Sequence, residues 1–225
     1  MKVLITGGST MTMIDRVRGL TNVFKGNTGH QIAEFFADTE EVTILSSNKK
    51  KMEVYSPYNI SQYHFKTYDE LYNKMKALVT TNDYDVIIHS AAVSDYKVEG
   101  AYTYNDNNRI ANELIPIDTS KKISSKCDEM YLKLIPTRKI VDDLRTLWGF
   151  KGILVKFKLQ VGIDDNELIR IASESRIHSN AEIIVANCLE WCSKYAYIIN
   201  ESDVQRVDRW NLPNTLFGVV RKLLK

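Results

Sequence analysis

No apolar run in the 225 residues approaches the roughly 20 that a helix needs to cross a bilayer, so a helical membrane protein is not expected. No charge of one sign dominates. The net charge is +2, which supplies no strong field for a nucleic acid or an anionic membrane surface. Cysteine is scarce and odd in number: Cys127, Cys188 and Cys192 show no repeated spacing. Cys188 and Cys192 are able to share a helix face, but they lack the nearby histidine pair that a zinc site of that size would use. Free thiols are the expectation. The histidines, His30, His64, His89 and His178, are scattered and suggest no metal cluster. Met1 to Ile5 is too short for a secretory leader, which leaves the cytoplasm as the expected compartment. No internal repeat and no low-complexity linker divides the chain. With 44% hydrophobic and 26% charged residues it has the composition of one large globular domain with a substantial core.

What is present is an alternation of strand and helix. KVLIT is a continuous apolar strand, as in parallel sheets buried on both faces. TGHQIAEFFAD has helical spacing, and EVTILSS (41–47) reads as strand. ISQYHFKTY (60–68) alternates as a third strand. DELYNKMKALVT (69–80) reads as helix, with Asp69 as its expected N-cap. DYDVIIHSAAV (83–93) is the clearest buried strand. Parallel strands need helical crossovers, so the order implies a doubly wound, Rossmann-like α/β sheet, mostly parallel, with helices on both faces. Asp95 to Lys122 then breaks the pattern with many Asn, Asp and Tyr residues and little apolar period. A long loop is expected there, with a mobile lid over about 97–121. EMYLKLI (129–135), KGILVKFKL (151–159) and AEIIVAN (181–187) read as strands. TRKIVDDLRTLW (137–148) and DDNELIRIASESRIHS (164–179) read as helices. YAYIIN with DVQRVDRW is expected to form a hairpin, and NTLFGVVRKLLK an amphipathic helix.

Four segments carry chemistry, each with a plainer alternative. Gly7-Gly8-Ser9-Thr10 ends the first strand with small residues, which suits either backbone approach to a phosphate or an ordinary tight turn. The third glycine of a dinucleotide fingerprint does not follow; the next is Gly19. Gly26-Asn27-Thr28-Gly29 precedes a helix, so Thr28 is either its cap or part of an anion site at the helix N-terminus. Two such turns around one polar segment favour a shared anion site. His89-Ser90-Ala91-Ala92-Val93-Ser94-Asp95-Tyr96 ends a central strand with small residues, where α/β ligands bind. Ala91 and Ala92 leave room for a flat ring or chain. Asp95 faces a ribose hydroxyl or Mg2+, or else caps a loop. Lys121-Lys122-Ile123-Ser124-Ser125 ends the long loop, with Lys122 either swinging onto a phosphate or simply solvated.

Taken in order, these segments resemble phosphopantothenate–cysteine ligase, also called phosphopantothenoylcysteine synthetase, the ligase domain of the DNA/pantothenate metabolism flavoprotein family. The family pattern T-x-G-G-T reads ITGGST here, I-D-x-V-R-x-I-[ST]-N reads IDRVRGLTN, and A-A-V-[AS]-D-Y matches Ala91 to Tyr96 residue for residue. The lid motif K-I-K-K reads KISS, and the strand ending in A-N reads AEIIVAN. The likeness runs from residue 3 to about 187. It implies a single ligase domain over 1–225 that joins 4'-phosphopantothenate to L-cysteine through an acyl-nucleotide. It further implies CTP, less readily ATP, with Mg2+ and no flavin. A homodimer is implied, with YAYIIN and the following strand at the contact. Small molecules are the partners, and the decarboxylase is encoded elsewhere. In the residues that match, the resemblance implies Asn22, Arg18 and Lys122 as catalytic. Gly7, Gly8, Ser9, Thr10, Asp95, Lys122, Arg138, Lys139, Ile140 and Phe157 are implied at the nucleotide. Gly26, Asn27, Thr28, Gly29, Ala91, Ala92 and Asn187 are implied at the acid substrate, and Asp95 at the metal. An uncharged amide such as Asn22 donates to the carbonyl oxygen where negative charge builds, and Arg18 orients the chain or the phosphate if its segment is coiled.

The chain departs from the pattern in its charges. Ser124 and Ser125 replace the second half of K-I-K-K. Two lysines of a late family helix fall on Ser175 and Ser179. Arg138 and Lys139 in TRKI, with Lys156 and Lys158 in KFKL, add charge that offsets the loss. These exchanges keep open a weakened paralogue that binds phosphopantothenate or nucleotide without turnover. A short-chain-dehydrogenase-like oxidoreductase is a further alternative, since DVIIHSAAV suits that family. Its Y-x-x-x-K pair, however, is found only at Tyr72 and Lys76, before that strand and inside a crossover helix.

Overall fold

The opening apolar run folds as strand β1, Lys2–Gly7. Val3 and Ile5 enter one hydrophobic layer and Leu4 another, and all three are fully buried. A strand covered on both faces shows no polar alternation, which explains the continuous apolar sequence. The computed structural model describes residues 1–52, 60–104, 113–126 and 128–225. After β1 come a hairpin of β2 (Met11–Met13) and β3 (Gly19–Thr21), then α1 (Asn27–Ala37), β4 (Glu41–Ser46) and a single turn α2 (Lys49–Met52). β5 (Ile60–His64), α3 (Tyr68–Thr81), β6 (Val86–His89), β7 (Tyr96–Tyr104), β8 (Leu114–Ile117) and β9 (Tyr131–Pro136) follow. The chain continues through α4 (Ile140–Thr146), β10 (Ile153–Gln160), α5 (Asp165–His178), β11 (Ile183–Cys188), β12 (Tyr195–Ile199) and β13 (Val204–Asp208). A 3-10 turn, Arg209–Asn211, leads into α6 (Leu212–Leu223).

Eight strands form the main sheet in the order β13-β12-β11-β10-β6-β1-β4-β5. The six strands from β11 to β5 pair in parallel, and the β12–β13 hairpin adds an antiparallel edge. This is the expected doubly wound α/β sheet. From β1 the chain lays β4 and β5 on one side, then returns to place β6 on the other. That reversal opens a crevice beyond the carboxyl ends of β1 and β6, where open α/β sheets take ligands.

Side-chain alternation sorts the helices. Ile32 and Phe36 of α1 and Leu216 and Val220 of α6 share a layer with Val155, Ile183 and Val185. Leu71 and Met75 of α3 and Leu144 of α4 cover Leu4, Ile87 and Leu154 on the opposite face. Leu168 and Ala172 of α5 pack on Ile184 and Ala186. Ile184 pairs in register with Lys156, two residues beyond Leu154, so α5 lies on the α3/α4 face.

The structure corrects several local expectations. Thr67, not Asp69, caps α3: its Oγ1 accepts from the Glu70 N–H at 3.2 Å. TRKIVDDL is helical only from Ile140, because Thr137 to Lys139 form an extended exit from β9. The Asp95–Lys122 stretch is not simply a loop. β7 and β8 pair with each other and β7 with β9 in a separate antiparallel sheet, β8-β7-β9. Of β7 and β8, Ala101 alone is buried, so no core face imposes a period-two pattern. Residues 105–112 of the expected lid, and Cys127, lie outside the described residues. The expected β12–β13 hairpin and the amphipathic α6 are both found.

Candidate active site

Two interlocked turns form the floor of the crevice. Gly8, after β1, has φ +92, and a Cβ there would sit 2.1 Å from Ser47 Oγ. Gly26, with φ +74, is the N-cap of α1, and a Cβ there would sit 2.0 Å from the Gly8 nitrogen. Only residues without side chains allow this approach, so the GG and GNTG segments belong to one site. Thr28 does not cap the helix, which has no side-chain cap. The loop after β6 closes the other wall. The Ala92 N–H donates to Gly8 O at 2.8 Å, Ser90 Oγ to Thr6 O at 2.6 Å, and Asn22 Nδ2 to Ala92 O at 3.1 Å.

A cleft of about 810 Å³ opens above these turns. Gly8, Asn22 and the Gly26–Gly29 turn line it on one side, with Asn187 and Phe157. Ala91, Ala92 and Asp95 form its middle, and Arg138, Lys139 and Ile140 its far wall. The expected residues therefore converge, with five exceptions. Gly7, Ser9 and Thr10 are not in the lining; Thr10 Oγ1 accepts the Ser94 N–H at 2.8 Å, and the Ser9 N–H donates to Ser47 Oγ at 2.9 Å. Arg18 lies in the turn of the β2–β3 hairpin, not in a helix. Lys122 is exposed and also outside the lining. A second cavity, about 770 Å³, lies at the opposite sheet end beside Glu40 and Ile60 and contains none of the expected residues.

Arg18 and Lys122 are linked by a residue that the sequence reading passed over. The Asp15 side chain is fully buried in the ion pair it makes with Arg18, 3.7 Å from Nε. Its Oδ1 accepts the Val17 and Arg18 N–H groups at 2.8 Å, and its Oδ2 the Ile123 N–H at 3.0 Å. Arg18 Nη2 donates to Ile123 O at 2.8 Å. Asp15 and Arg18 thus hold the backbone N–H and the carbonyl of Ile123, the residue after Lys122. Burial raises the Asp15 pKa, but the three backbone N–H donors and Arg18 outweigh it and hold the carboxylate below its usual value.

The cations divide by sheet face. Lys156, Lys158 and His89 project to the α3/α4/α5 face by alternation with Leu154 and Ile87. Lys156 Nζ donates to Ser175 Oγ at 3.1 Å and Ser179 Oγ at 3.0 Å. The amine therefore ends between two serine hydroxyls one turn apart at the end of α5. Burial, then the neighbouring Lys158, lowers its pKa to about 8. Burial, then Lys156, lowers His89 to about 4, and its Nδ1 bonds Thr6 Oγ1 at 2.9 Å. Arg138 pairs at 2.8 Å with Asp143, a buried carboxylate that also accepts from Tyr72 OH at 2.8 Å. That bond raises the Tyr72 pKa above its ordinary value and packs the residue away from the cleft, so the Tyr72–Lys76 pair has no dehydrogenase role there. The α1/α6 face instead offers Arg209, unmarked by any sequence motif.

Asp95 is exposed at the crevice. Among the described residues no group of three or more His, Cys, Asp or Glu side chains is placed to hold a metal ion. One carboxylate fits Mg2+ only together with substrate phosphates and water, its usual arrangement.

Known proteins are similar in sequence and in fold. A curated relative from Methanocaldococcus jannaschii, a coenzyme A biosynthesis bifunctional protein CoaBC, is 30% identical over 235 residues, covering 100% of this chain and 51% of that protein. The chain thus spans about half the length of the curated relatives it matches. The crystal structure of a DNA/pantothenate metabolism flavoprotein from Streptococcus pneumoniae superposes with TM-score 0.84 at 28% identity, covering 99% of each chain. A Cab2 mutant in complex with phosphopantothenate-cysteine shares the fold, with TM-score 0.72 at 16% identity, over 98% of this chain and 85% of that one. The profile of the DNA/pantothenate metabolism flavoprotein C-terminal domain matches residues 1–204, and the chain belongs to that family.

Proposed function

We propose that the chain joins 4'-phosphopantothenate to L-cysteine, using CTP in preference to ATP. The carboxylate oxygen attacks the α-phosphorus, the bond to pyrophosphate breaks, and an acyl-nucleotide remains. The cysteine amine then attacks the acyl carbon, nucleoside monophosphate leaves, and the amine gives up a proton. The observation that carries this reading is a cleft at the β1/β6 reversal with cationic groups on both sheet faces. A triphosphate and a phosphorylated acid are both anionic at one end, and a two-sided cleft keeps their charges apart.

In this reading Lys139, Lys156 and Lys158 hold the polyphosphate, where positive charge stabilises the departing pyrophosphate. Asp95 would hold Mg2+ against the phosphates, and the ion would supply charge neutralisation at the transferring group. Ala91 and Ala92 leave space for the pantothenate chain. The Asn22 amide keeps one N–H on Ala92 O and has a second for the acyl oxygen. Arg18 and Asp15 set the Ile123 peptide, from which Lys122 reaches the phosphates. Ser9 and Thr10 shape the turn that presents Gly8. The same reading takes the β12–β13 edge as a homodimer contact and the cytoplasm as the compartment. With purified protein, pyrophosphate release should require phosphopantothenate and CTP together. Its absence with every nucleoside triphosphate at saturating substrates would leave only a binding protein.

A further inference from the structure

Arg209 differs from the other paired arginines. Arg18, Arg138, Arg145, Arg170 and Arg221 each meet a carboxylate. Arg209 is half-buried in the cleft wall, and among the described residues no carboxylate pairs with it. Burial lowers its pKa from the ordinary value, with only the Cys192 thiol opposing. Its side-chain partners are neutral: Nη1 donates to Asn187 Oδ1 at 3.2 Å and Nη2 to Thr28 Oγ1. A guanidinium has five N–H donors, so most of its capacity is unused by these two contacts.

The two contacts also orient their acceptors. Asn187 accepts on Oδ1, which turns its amide N–H groups away from Arg209 and frees them to donate to a ligand. Thr28 accepts on Oγ1, which leaves its hydroxyl hydrogen to donate. The arginine thus converts an amide and a hydroxyl into donors around its own uncompensated charge. Its backbone is fixed: the Arg209 N–H donates to Lys194 O at 2.8 Å, directly after the Tyr195–Asp208 pairing of the hairpin. Thr28 belongs to α1, and Asn187 follows Val185 on the α1/α6 face. Arg209 is therefore on the face opposite the lysines.

We infer that Arg209 selects the phosphorylated form of the acid substrate, gripping the phosphomonoester from the α1/α6 face while the lysines of the opposite face hold the nucleotide. The identity of that phosphomonoester rests on the ligase reading. A fork of N–H donors on a phosphate is geometrically specific, and lysine does not reproduce it.

The test is calorimetric binding of 4'-phosphopantothenate, pantothenate and CTP to the whole protein and to Arg209→Gln, Arg209→Lys and Arg206→Gln. Hydrogen bonds to a charged group of this kind are worth about tenfold to 150-fold in affinity. Arg209→Gln should lose that factor for 4'-phosphopantothenate while pantothenate and CTP change less than about twofold. Arg209→Lys should fall between, and it carries the test if Arg209→Gln melts early. Arg206, which lies over the Tyr195 ring, should behave as the parent when replaced. Unchanged affinity for 4'-phosphopantothenate, or an equal loss for pantothenate, overturns the inference even if the parent turns over. Arg209-dependent binding without pyrophosphate release from any nucleotide overturns the ligase reading and leaves Arg209 as a phosphate anchor.

Discussion

Lys156 gives the clearest quantitative consequence. Its amine has a pKa of about 8, against 10.5 for an ordinary lysine, because burial and Lys158 disfavour the charged form. The groups facing it are Lys158 on its own strand, Lys139 and Asp142 before and within α4, His89 on β6, and the Ser175 and Ser179 hydroxyls of α5. Asp142 raises the pKa while the two lysines lower it, and His89, at about 4, stays neutral above pH 7. A bound polyphosphate favours the ammonium and raises the pKa again. Nucleotide binding then takes up a proton above pH 8, so affinity must fall as pH rises. If the bound value returns to that of an ordinary lysine, Kd should increase about tenfold between pH 7 and pH 9. Fluorescence or calorimetric titration with CTP over pH 7 to 9.5 measures this, with Lys156→Gln as the reference. The variant should bind more weakly at pH 7, by about tenfold or more for a lost charge-assisted contact, and its Kd should be nearly flat with pH. A parent whose affinity does not change from pH 7 to 9.5 would refute the argument. So would a Lys156→Gln variant that keeps the parent's slope, since the titrating group would then be another.

Two further changes test how the site is assembled. Gly26→Ala places a Cβ against the Gly8 backbone at a positive φ, so it should lower the melting temperature and abolish ligand binding together; a stable variant with normal binding would contradict the interlocked turns. Asp15→Asn replaces one of the two acceptor oxygens and the charge opposite Arg18, removing about 1–3 kcal/mol from the bracket on Ile123. It should lower kcat for pyrophosphate release with little change in CTP affinity, whereas a parent-like kcat would show that the Ile123 peptide needs no bracket.

The sequence revealed those parts of the site in which one local constraint acts alone. Buried parallel strands are legible because both faces are apolar, and the turns at Gly7-Gly8 and Gly26 because a close backbone approach excludes side chains. The Ala91–Asp95 segment was readable from its place at the end of β6. Residues whose role depends on a distant partner were not. Nothing in IDRVR says that Asp15 accepts from Ile123, more than a hundred positions away. A buried acid beside an arginine reads the same in any tight turn. The β7–β8 hairpin was missed because Ala101 is the one buried residue of its two strands, so no core face imposed alternation.

Arg209 is the extreme case. It follows an edge strand whose residues are mostly exposed, and in sequence it is one charged residue among others in DVQRVDRW. Its neighbours in space, Thr28 and Asn187, come from the first helix and a central strand. Only sheet order and alternation together place it, since the β12–β13 hairpin must fold back beside β11 before the chain can turn under α1 into α6. The same logic accounts for Lys156. A strand residue reaches the Ser175 and Ser179 hydroxyls because β10 and α5 pack on one face, so the charge that helix positions 175 and 179 lack is supplied from the sheet beneath them. Read one position at a time, the sequence registers two uncharged helix positions, whereas the folded chain brings an ammonium to them from the neighbouring strand.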